Sequence, residues 1–215
     1  MWNWIKRIFS RETSDEAAAE QWYEEKSNLM EHVLGKEHDM VMHSLIPYAV
    51  GGALHGYYYP NGIEGVGIAT KELSTLPGKG SRNDFFDCYE LVMFTREKFS
   101  FEEALDKSTS FGQIHHHLKA ILNVVAPYSA QATLNPAETC EFPEDMEEIG
   151  GKCLIFDRYG SFSDSELNSF GMMVVIEVFR REMNYARKKG GNSLIKRLKK
   201  AGHYPYSDLD RDPVV

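Results

Sequence analysis

The spacing of hydrophobic residues changes its period along the chain, and each period predicts a type of secondary structure. Apolar residues recur every three or four positions over residues 14–33 and 110–126, which predicts two amphipathic helices. Ser14 is expected to cap the first helix. Gly35 and Pro127 are expected to end the first and the second helix, because glycine and proline are typical of helix ends.

Short apolar runs that are separated by Gly and Pro predict strands between and after these helices. Five strands are predicted, at residues 54–59, 67–73, 85–95, 153–156 and 172–178. A helix is predicted from the end of the last strand to Lys189, and a final helix starts at Asn192 or Ser193. Short turns favour antiparallel neighbours. The predicted fold class is α+β, with a mixed, largely antiparallel central sheet that is flanked by helices.

The strand at residues 85–95 shows a regular alternation of side chains. Tyr89, Leu91 and Met93 predict one fully buried face. The opposite face includes Glu90, so that face is expected to be mixed rather than buried.

Composition narrows the class of protein. The 215 residues suffice for one domain, which we predict at residues 14–215 after an N-terminal extension of residues 1–13. A net charge of −8 argues against general nucleic-acid binding, and no apolar run approaches the ~20 residues of a membrane span. Three cysteines without CxxC spacing indicate free thiols, so we expect a cytoplasmic protein.

No pattern of residues predicts a catalytic or metal centre. His115, His116 and His117 are consecutive, so on a helix their side chains point about 100° apart and cannot converge on one ion. Residues 77–81 (PGKGS) lack the glycine spacing of a phosphate loop and are interpreted as a hairpin. We therefore expect no catalytic residues, no bound metal, no cofactor and no enzymatic activity.

Charge is concentrated in two segments of opposite sign. Residues 138–148 contain six acids and no base, which indicates either a solvated loop or a surface that docks a basic partner. Residues 187–200 contain seven bases, which indicate either a solvated helix face or contact with nucleic acid or membrane. At the N-terminus, Trp2 and Trp4 belong to a short amphipathic stretch that leaves a membrane contact open.

Several segments resemble the suppressor-of-fused family, and specifically its bacterial single-domain members. The residues that carry the resemblance are 43–52 (HSLIPYAVGG), 56–62 (GYYYPNG), 67–73 (GIATKEL), 89–95 (YELVMFT) and the closing segment 194–211. These segments occur in the same order as in the family and span most of the chain. None of them is a catalytic motif.

This resemblance implies a binding module. Animal members are two-domain proteins that sequester transcription factors, and this chain has room for only one such domain. Bacterial relatives are associated with polymorphic toxin systems, in which they are expected to act as immunity proteins. We therefore expect a non-catalytic module that neutralises a partner toxin domain by direct binding, with no nucleic-acid partner.

Partner-binding residues are predicted on the acidic segment and on the C-terminal tail. They are Glu141, Glu144, Asp145, Glu147, Glu148, Tyr206, Asp208, Asp210 and Arg211. The other interpretation of the tail is a hydrogen-bonded cap that fixes the C-terminus to the sheet. Two other functions stay open, namely a hydrolase with a composite His/Glu/Cys site and an adaptor that associates with membrane or nucleic acid.

Overall fold

The computed structural model describes residues 2–162 and 169–215, with side chains from Glu16 onward. Its α-helices are α1 (Trp2–Leu34), α2 (Ser110–Ser129), α3 (Arg180–Lys189) and α4 (Gly191–Lys200). Its strands are β1 (Tyr57–Tyr59), β2 (Val66–Ala69), β3 (Ser74–Leu76), β4 (Lys79–Gly80), β5 (Cys88–Thr95), β6 (Thr139–Glu141), β7 (Cys153–Phe162) and β8 (Phe170–Val178). One short 3-10 helix, Tyr48–Val50, precedes β1.

A six-stranded sheet forms the centre of the described structure, with strand order β1-β2-β5-β8-β7-β6. Strands β5 and β8 pair in parallel, and every other neighbouring pair in this sheet is antiparallel. Strands β3 and β4 form a separate hairpin at the segment that the sequence predicted as one. The predicted α+β class, with its mixed and largely antiparallel sheet, is confirmed.

Both faces of the sheet are covered, so the molecule has three layers. One face packs against α2, and its core includes Tyr89, Leu91 and Met93 of β5. The other face packs against α1, α3 and α4, and its core includes Val92 and Phe94 of the same strand. Because β5 is buried along its whole length, it tolerates a charged side chain only where a partner is supplied.

That charged side chain is Glu90, which forms an ion pair with Lys26 of α1. The Lys26 Nζ lies 2.9 Å from the Glu90 carboxylate, and the side chains are 2% and 0% exposed. Glu90 also accepts hydrogen bonds from Thr70 and from the backbone N–H of Ser74. The expectation of a mixed face was therefore wrong, since a buried base on α1 allows this face to be closed as well.

The helices differ from the sequence prediction at their ends. Helix α1 begins at Trp2 and passes through Ser14, so Ser14 is an interior residue and not a cap. Helix α2 continues through Pro127 to Ser129, and the Ser129 hydroxyl donates to the carbonyl of Ala126 in its final turn. The side chains of the N-terminal aromatic stretch lie outside the described residues, so the membrane contact stays open and the domain boundary remains a prediction.

The strands also differ from the prediction in their bounds. The segment predicted at 67–73 ends as β2 at Ala69, since Thr70 turns its hydroxyl towards Glu90 and the chain leaves the sheet. The acidic segment contains β6, which pairs with β7 and is therefore not wholly a loop. Among the described residues, no helix has the length and apolar content needed to cross a membrane.

Candidate functional site

A cleft of about 460 Å³ opens where the C-terminal tail passes the end of β5 and the first turns of α2. Three segments that are far apart in sequence line it, and each contributes polar groups. The lining residues are Arg96, Glu97, Ser110, Gln113, Ile114, His117, Asp208, Leu209 and Asp210. We call this feature the tail cleft. Two of the predicted partner-binding residues, Asp208 and Asp210, lie in it.

The tail is fixed to β5 at the side of the cleft. The backbone N–H of Ser207 donates to the Phe94 carbonyl at 2.9 Å, and the Asp208 carboxylate accepts from the Arg96 N–H at 2.8 Å. The Arg96 guanidinium lies 3.8 Å from the centre of the Tyr206 ring. Tyr206 is buried, so its ring supports Arg96 from within the fold and Asp208 holds the backbone of that residue.

His117 closes the far side of the cleft and is positioned by a buried carboxylate. Its Nε2 lies 2.5 Å from Glu177 of β8, whose side chain is 2% exposed. Lys152 approaches the other oxygen of Glu177 at 3.1 Å. This arrangement fixes one ring nitrogen of His117 against Glu177.

The carboxylate of Glu97 lies against the first turn of α2. Thr109 is the N-cap, and its hydroxyl accepts from the Gly112 N–H. The Ser110 hydroxyl donates to Glu97 at 2.6 Å, which holds that carboxylate at the positive end of the helix dipole. The cleft therefore has one guanidinium, Arg96, which is already paired with Asp208, and two exposed carboxylates, Glu97, which accepts from Ser110, and Asp210.

The acidic segment is partly neutralised within the chain. Glu141 pairs with Arg180 and with Arg187 of α3, and Glu144 pairs with Arg180 at 2.7 Å. The hydrogen bond from Arg180 is the main cause that lowers the pKa of Glu141. These contacts fix one end of the segment against α3.

The other end of the segment is held by α2. Glu148 lies 3.0 Å from His116 and 3.7 Å from Lys107, and the hydrogen bond from His116 lowers the pKa of Glu148. Asp145 and Glu147 are exposed and make no ion pair within the described residues. Of the acids that the sequence singled out, Asp145 and Glu147 remain the most available for a partner.

The three consecutive histidines point in different directions, as their spacing predicted. His115 is buried between Tyr58 and the Ala104 carbonyl, and burial lowers its pKa to about 4. His116 faces the acidic segment and His117 faces the tail cleft. Among the described residues, no group of three or more His, Cys, Asp or Glu side chains is placed to hold a metal ion.

Comparisons with known proteins identify the fold. A chain described as "the Sufu-Fu complex crystal structure" superposes with a TM-score of 0.57 and 14% identity, and the match covers 92% of each chain. The crystal structure of Drosophila Suppressor of Fused gives a TM-score of 0.53 and 15% identity over 79% of this chain and 46% of that chain. The fold is that of Suppressor of Fused. This chain thus spans about half of the Drosophila chain, and no protein-family model and no curated protein sequence matches it.

The segment at residues 43–52, which carried the resemblance to this family, forms a rigid loop in the Suppressor-of-Fused-like fold. Gly52 packs so closely that a Cβ there would lie 1.8 Å from the Ile46 carbonyl oxygen. The Ser44 N–H donates to His55 Nδ1 at 2.9 Å, which fixes the loop to the segment before β1. The loop displays Leu45, which is 101% exposed, and Val50, which is 74% exposed. Exposed apolar side chains on a rigid loop are typical of a recognition surface.

Sequence reasoning missed most residues of the tail cleft in this Suppressor-of-Fused-like fold. Arg96 and Gln113 carry no motif, and only the parallel approach of the tail to β5 brings them near Asp208. His117 was considered only as one of three consecutive histidines, which gave no indication that it would face this cleft. Glu177 gave no signal beyond an acid at the end of an apolar strand.

Proposed function

We propose that this chain is a non-catalytic protein-binding module that neutralises a partner toxin by direct binding, as an immunity protein does. The observation that carries the proposal is the match to a Suppressor of Fused chain that was solved in complex with another protein, Fu, over 92% of both chains. A fold alone does not set a function, so the surface has to supply the rest of the support.

Two surfaces support protein binding. The 43–52 loop presents Leu45, Ile46 and Val50 on a backbone that is held by hydrogen bonds, so little conformational freedom would be lost when a partner covers them. Asp208 is mostly buried against Arg96, whereas Asp210 in the tail cleft and Asp145 and Glu147 elsewhere are exposed. These carboxylates suit a partner with basic side chains and would speed its association.

The remaining predicted site residues hold these surfaces in shape. Tyr206 supports Arg96, Arg211 binds Glu182, and Glu141 binds two arginines of α3. We propose that they act through positioning, whereas the exposed carboxylates contact the partner. This division is consistent with the interpretation of the tail as a cap that is fixed to the sheet.

The state of the thiols supports a non-catalytic role. Burial raises the pKa of Cys88, Cys140 and Cys153, so each is a poor nucleophile at neutral pH. For Cys140 the main cause is burial, and Arg187 acts in the opposite direction. A hydrolase with a composite His/Glu/Cys site would need an activated thiol beside an imidazole.

Co-expression tests the proposal. The toxin candidate is the protein that is encoded by the gene immediately upstream, expressed with and without this chain. We expect growth to be restored and the two proteins to co-purify in a fixed ratio. Growth that is restored by co-expression without formation of a complex would contradict direct binding. Failure of both growth rescue and binding would contradict the toxin-neutralising role.

A further inference from the structure

Helices α3 and α4 form a strongly basic surface on an acidic protein. Residues 180–200 contain nine Lys and Arg and a single acid, Glu182, so this segment has a net charge of +8. The other residues of the chain contain 15 bases and 31 acids, which gives them a net charge of −16. The net charge of −8 therefore hides a molecule with two oppositely charged parts.

The exposed bases of these two neighbouring helices form the surface that we call the α3–α4 face. Gly190 has a φ of 90° and turns the chain directly from α3 into α4. Arg197 of α4 lies over the Tyr185 ring of α3 at 4.9 Å and donates to its hydroxyl at 3.1 Å. The exposed bases of the face are Arg180, Arg181, Arg187, Lys188, Lys189, Lys196, Arg197, Lys199 and Lys200.

Five of these bases have side chains that make neither an ion pair nor a hydrogen bond within the described part of the chain. They are Arg181, Lys188, Lys189, Lys196 and Lys200. Meanwhile the single acid of the segment, Glu182, is fully buried and bound to Arg211, so it does not offset the charge at the surface. The face therefore carries positive charge that is not paired with any acid among residues 16–162 and 169–215.

An acidic segment of the same chain already pairs with one edge of this face. Arg180 and Arg187 bind Glu141 and Glu144, which belong to the acidic segment 138–148. Glu141 receives a hydrogen bond from each of the two arginines. One edge of the face is thus occupied by a Glu-rich segment of the same chain, and the five unpaired bases extend beyond it.

We infer that the α3–α4 face binds an acidic peptide segment of a protein partner, and that the chain's own acidic segment competes for the edge of that face. The apolar sides of both helices are buried, with Leu194 and Leu198 of α4 fully enclosed, so they cannot insert into a membrane. A nucleic acid is a long polyanion, and beyond the face it would meet the remainder of the protein, which has a net charge of −16.

Direct binding of a synthetic peptide tests this inference. The probe is a fluorescent peptide that copies residues 138–149 with serine in place of Cys140, and its partner probe has every acid replaced by the corresponding amide. We expect the acidic peptide to bind the intact protein, with affinity that falls as NaCl is raised, and the amide peptide to bind at least about tenfold more weakly. Equal binding of the two peptides would overturn the inference.

Charge reversal locates the site. The face variant is Lys188→Glu/Lys189→Glu/Lys196→Glu, and the matched control is Lys36→Glu/Arg82→Glu/Lys98→Glu, which changes three exposed bases elsewhere by the same charge. We expect at least about a tenfold loss of peptide affinity for the face variant and less than about a twofold change for the control. Equal losses in both would overturn the inference. Because all six residues are exposed, circular dichroism is expected to show that both variants keep the fold. Glutamine at the same positions removes the positive charges without reversing them.

Two further measurements separate the alternatives. Glu141→Gln/Glu144→Gln frees Arg180 and Arg187, so we expect the peptide to bind about threefold more tightly; weaker binding would contradict competition by the acidic segment. A 20-base-pair DNA duplex that binds more tightly than the peptide would overturn the choice of a protein partner. The peptide assay needs no toxin, and the face is separate from the tail cleft, so its result is independent of the growth-rescue experiment.

Discussion

Arg211 and Glu182 form a two-pronged ion pair that joins the C-terminal tail to the first turn of α3. The two guanidinium nitrogens lie 2.7 and 2.9 Å from the two carboxylate oxygens, and the side chains are 5% and 0% exposed. Glu182 also accepts from the backbone N–H groups of Val214 and Phe179. Although burial raises the pKa of Glu182, the hydrogen bonds from Arg211 and these N–H groups outweigh it and lower the pKa.

Loss of this pair is expected to destabilise the fold and release the tail. Arg211→Ala leaves the buried Glu182 carboxylate without its counter-charge, which costs about 3–5 kcal/mol in the free energy of unfolding. Urea denaturation measures this cost, and limited proteolysis reports the release of the tail. The control is Arg181→Ala at a neighbouring exposed base, for which less than about 0.5 kcal/mol is expected. Equal stability of the two variants would show that the pair does not hold the tail.

The Lys26–Glu90 pair is expected to behave as a buried unit. Lys26→Met removes the counter-charge from a carboxylate that is 0% exposed, and we expect a loss of about 3–5 kcal/mol in unfolding free energy. Adding Glu90→Gln removes the orphaned charge and is expected to restore at least about 1 kcal/mol. Lys36→Met, at an exposed lysine, serves as the control. Additive losses in the double variant would contradict the coupling.

Acid is expected to destabilise the protein through His115. Burial lowers the pKa of His115 from 6.5 to about 4, so the unfolded chain binds this proton more readily than the folded one. The stabilising effect of the neutral ring is complete above pH 6.5 and is lost as the pH falls towards 4, which amounts to about 3 kcal/mol. His115→Gln is expected to flatten the pH dependence of unfolding free energy in this window, relative to the parent chain. The exposed His32→Gln should leave the slope unchanged, and an unchanged slope in His115→Gln as well would contradict the assignment.

The tail cleft is expected to control partner binding without affecting stability. Asp210 is exposed, so Asp210→Arg is expected to change unfolding free energy by less than about 0.5 kcal/mol. It places a positive charge in the cleft and is expected to weaken binding of a basic partner at least about tenfold. Asp39→Arg makes the same charge change at an exposed position outside the cleft. A matching loss in both variants would indicate that net charge, and not the cleft, decides the affinity.

Local patterns in the sequence were enough to predict the fold class and most elements, but not β6, which lies in the acidic segment. The β-branched run in β8 and the stop signals after α3 act on neighbouring residues, so they can be read from the sequence alone. Resemblance of the 43–52 and 56–62 segments extended this to the family fold, which the superpositions confirm. Element ends were less predictable, because a continuous helix can pass a capping residue such as Ser14 when the preceding residues are also helical.

The candidate site was only partly predictable, because its parts meet through long-range contacts. Asp208 and Asp210 were found from the polar tail, but Arg96 lies 112 residues before Asp208 and reaches it only in the fold. The neutralisation of charged side chains also depends on contacts between residues that are far apart in sequence. The acidic segment has no base within it, yet Arg180 and Arg187 of α3 neutralise part of it from across the fold. Counting charges along the sequence cannot predict which carboxylates remain available.

The most direct test of the account is a calorimetric titration of this chain with the purified, inactivated protein from the upstream gene. We expect a complex of one-to-one stoichiometry, with affinity that falls for Asp210→Arg but not for Asp39→Arg. The absence of binding, in a pair whose co-expression nevertheless restores growth, would contradict the central claim that this Suppressor-of-Fused-like chain acts by binding its partner directly.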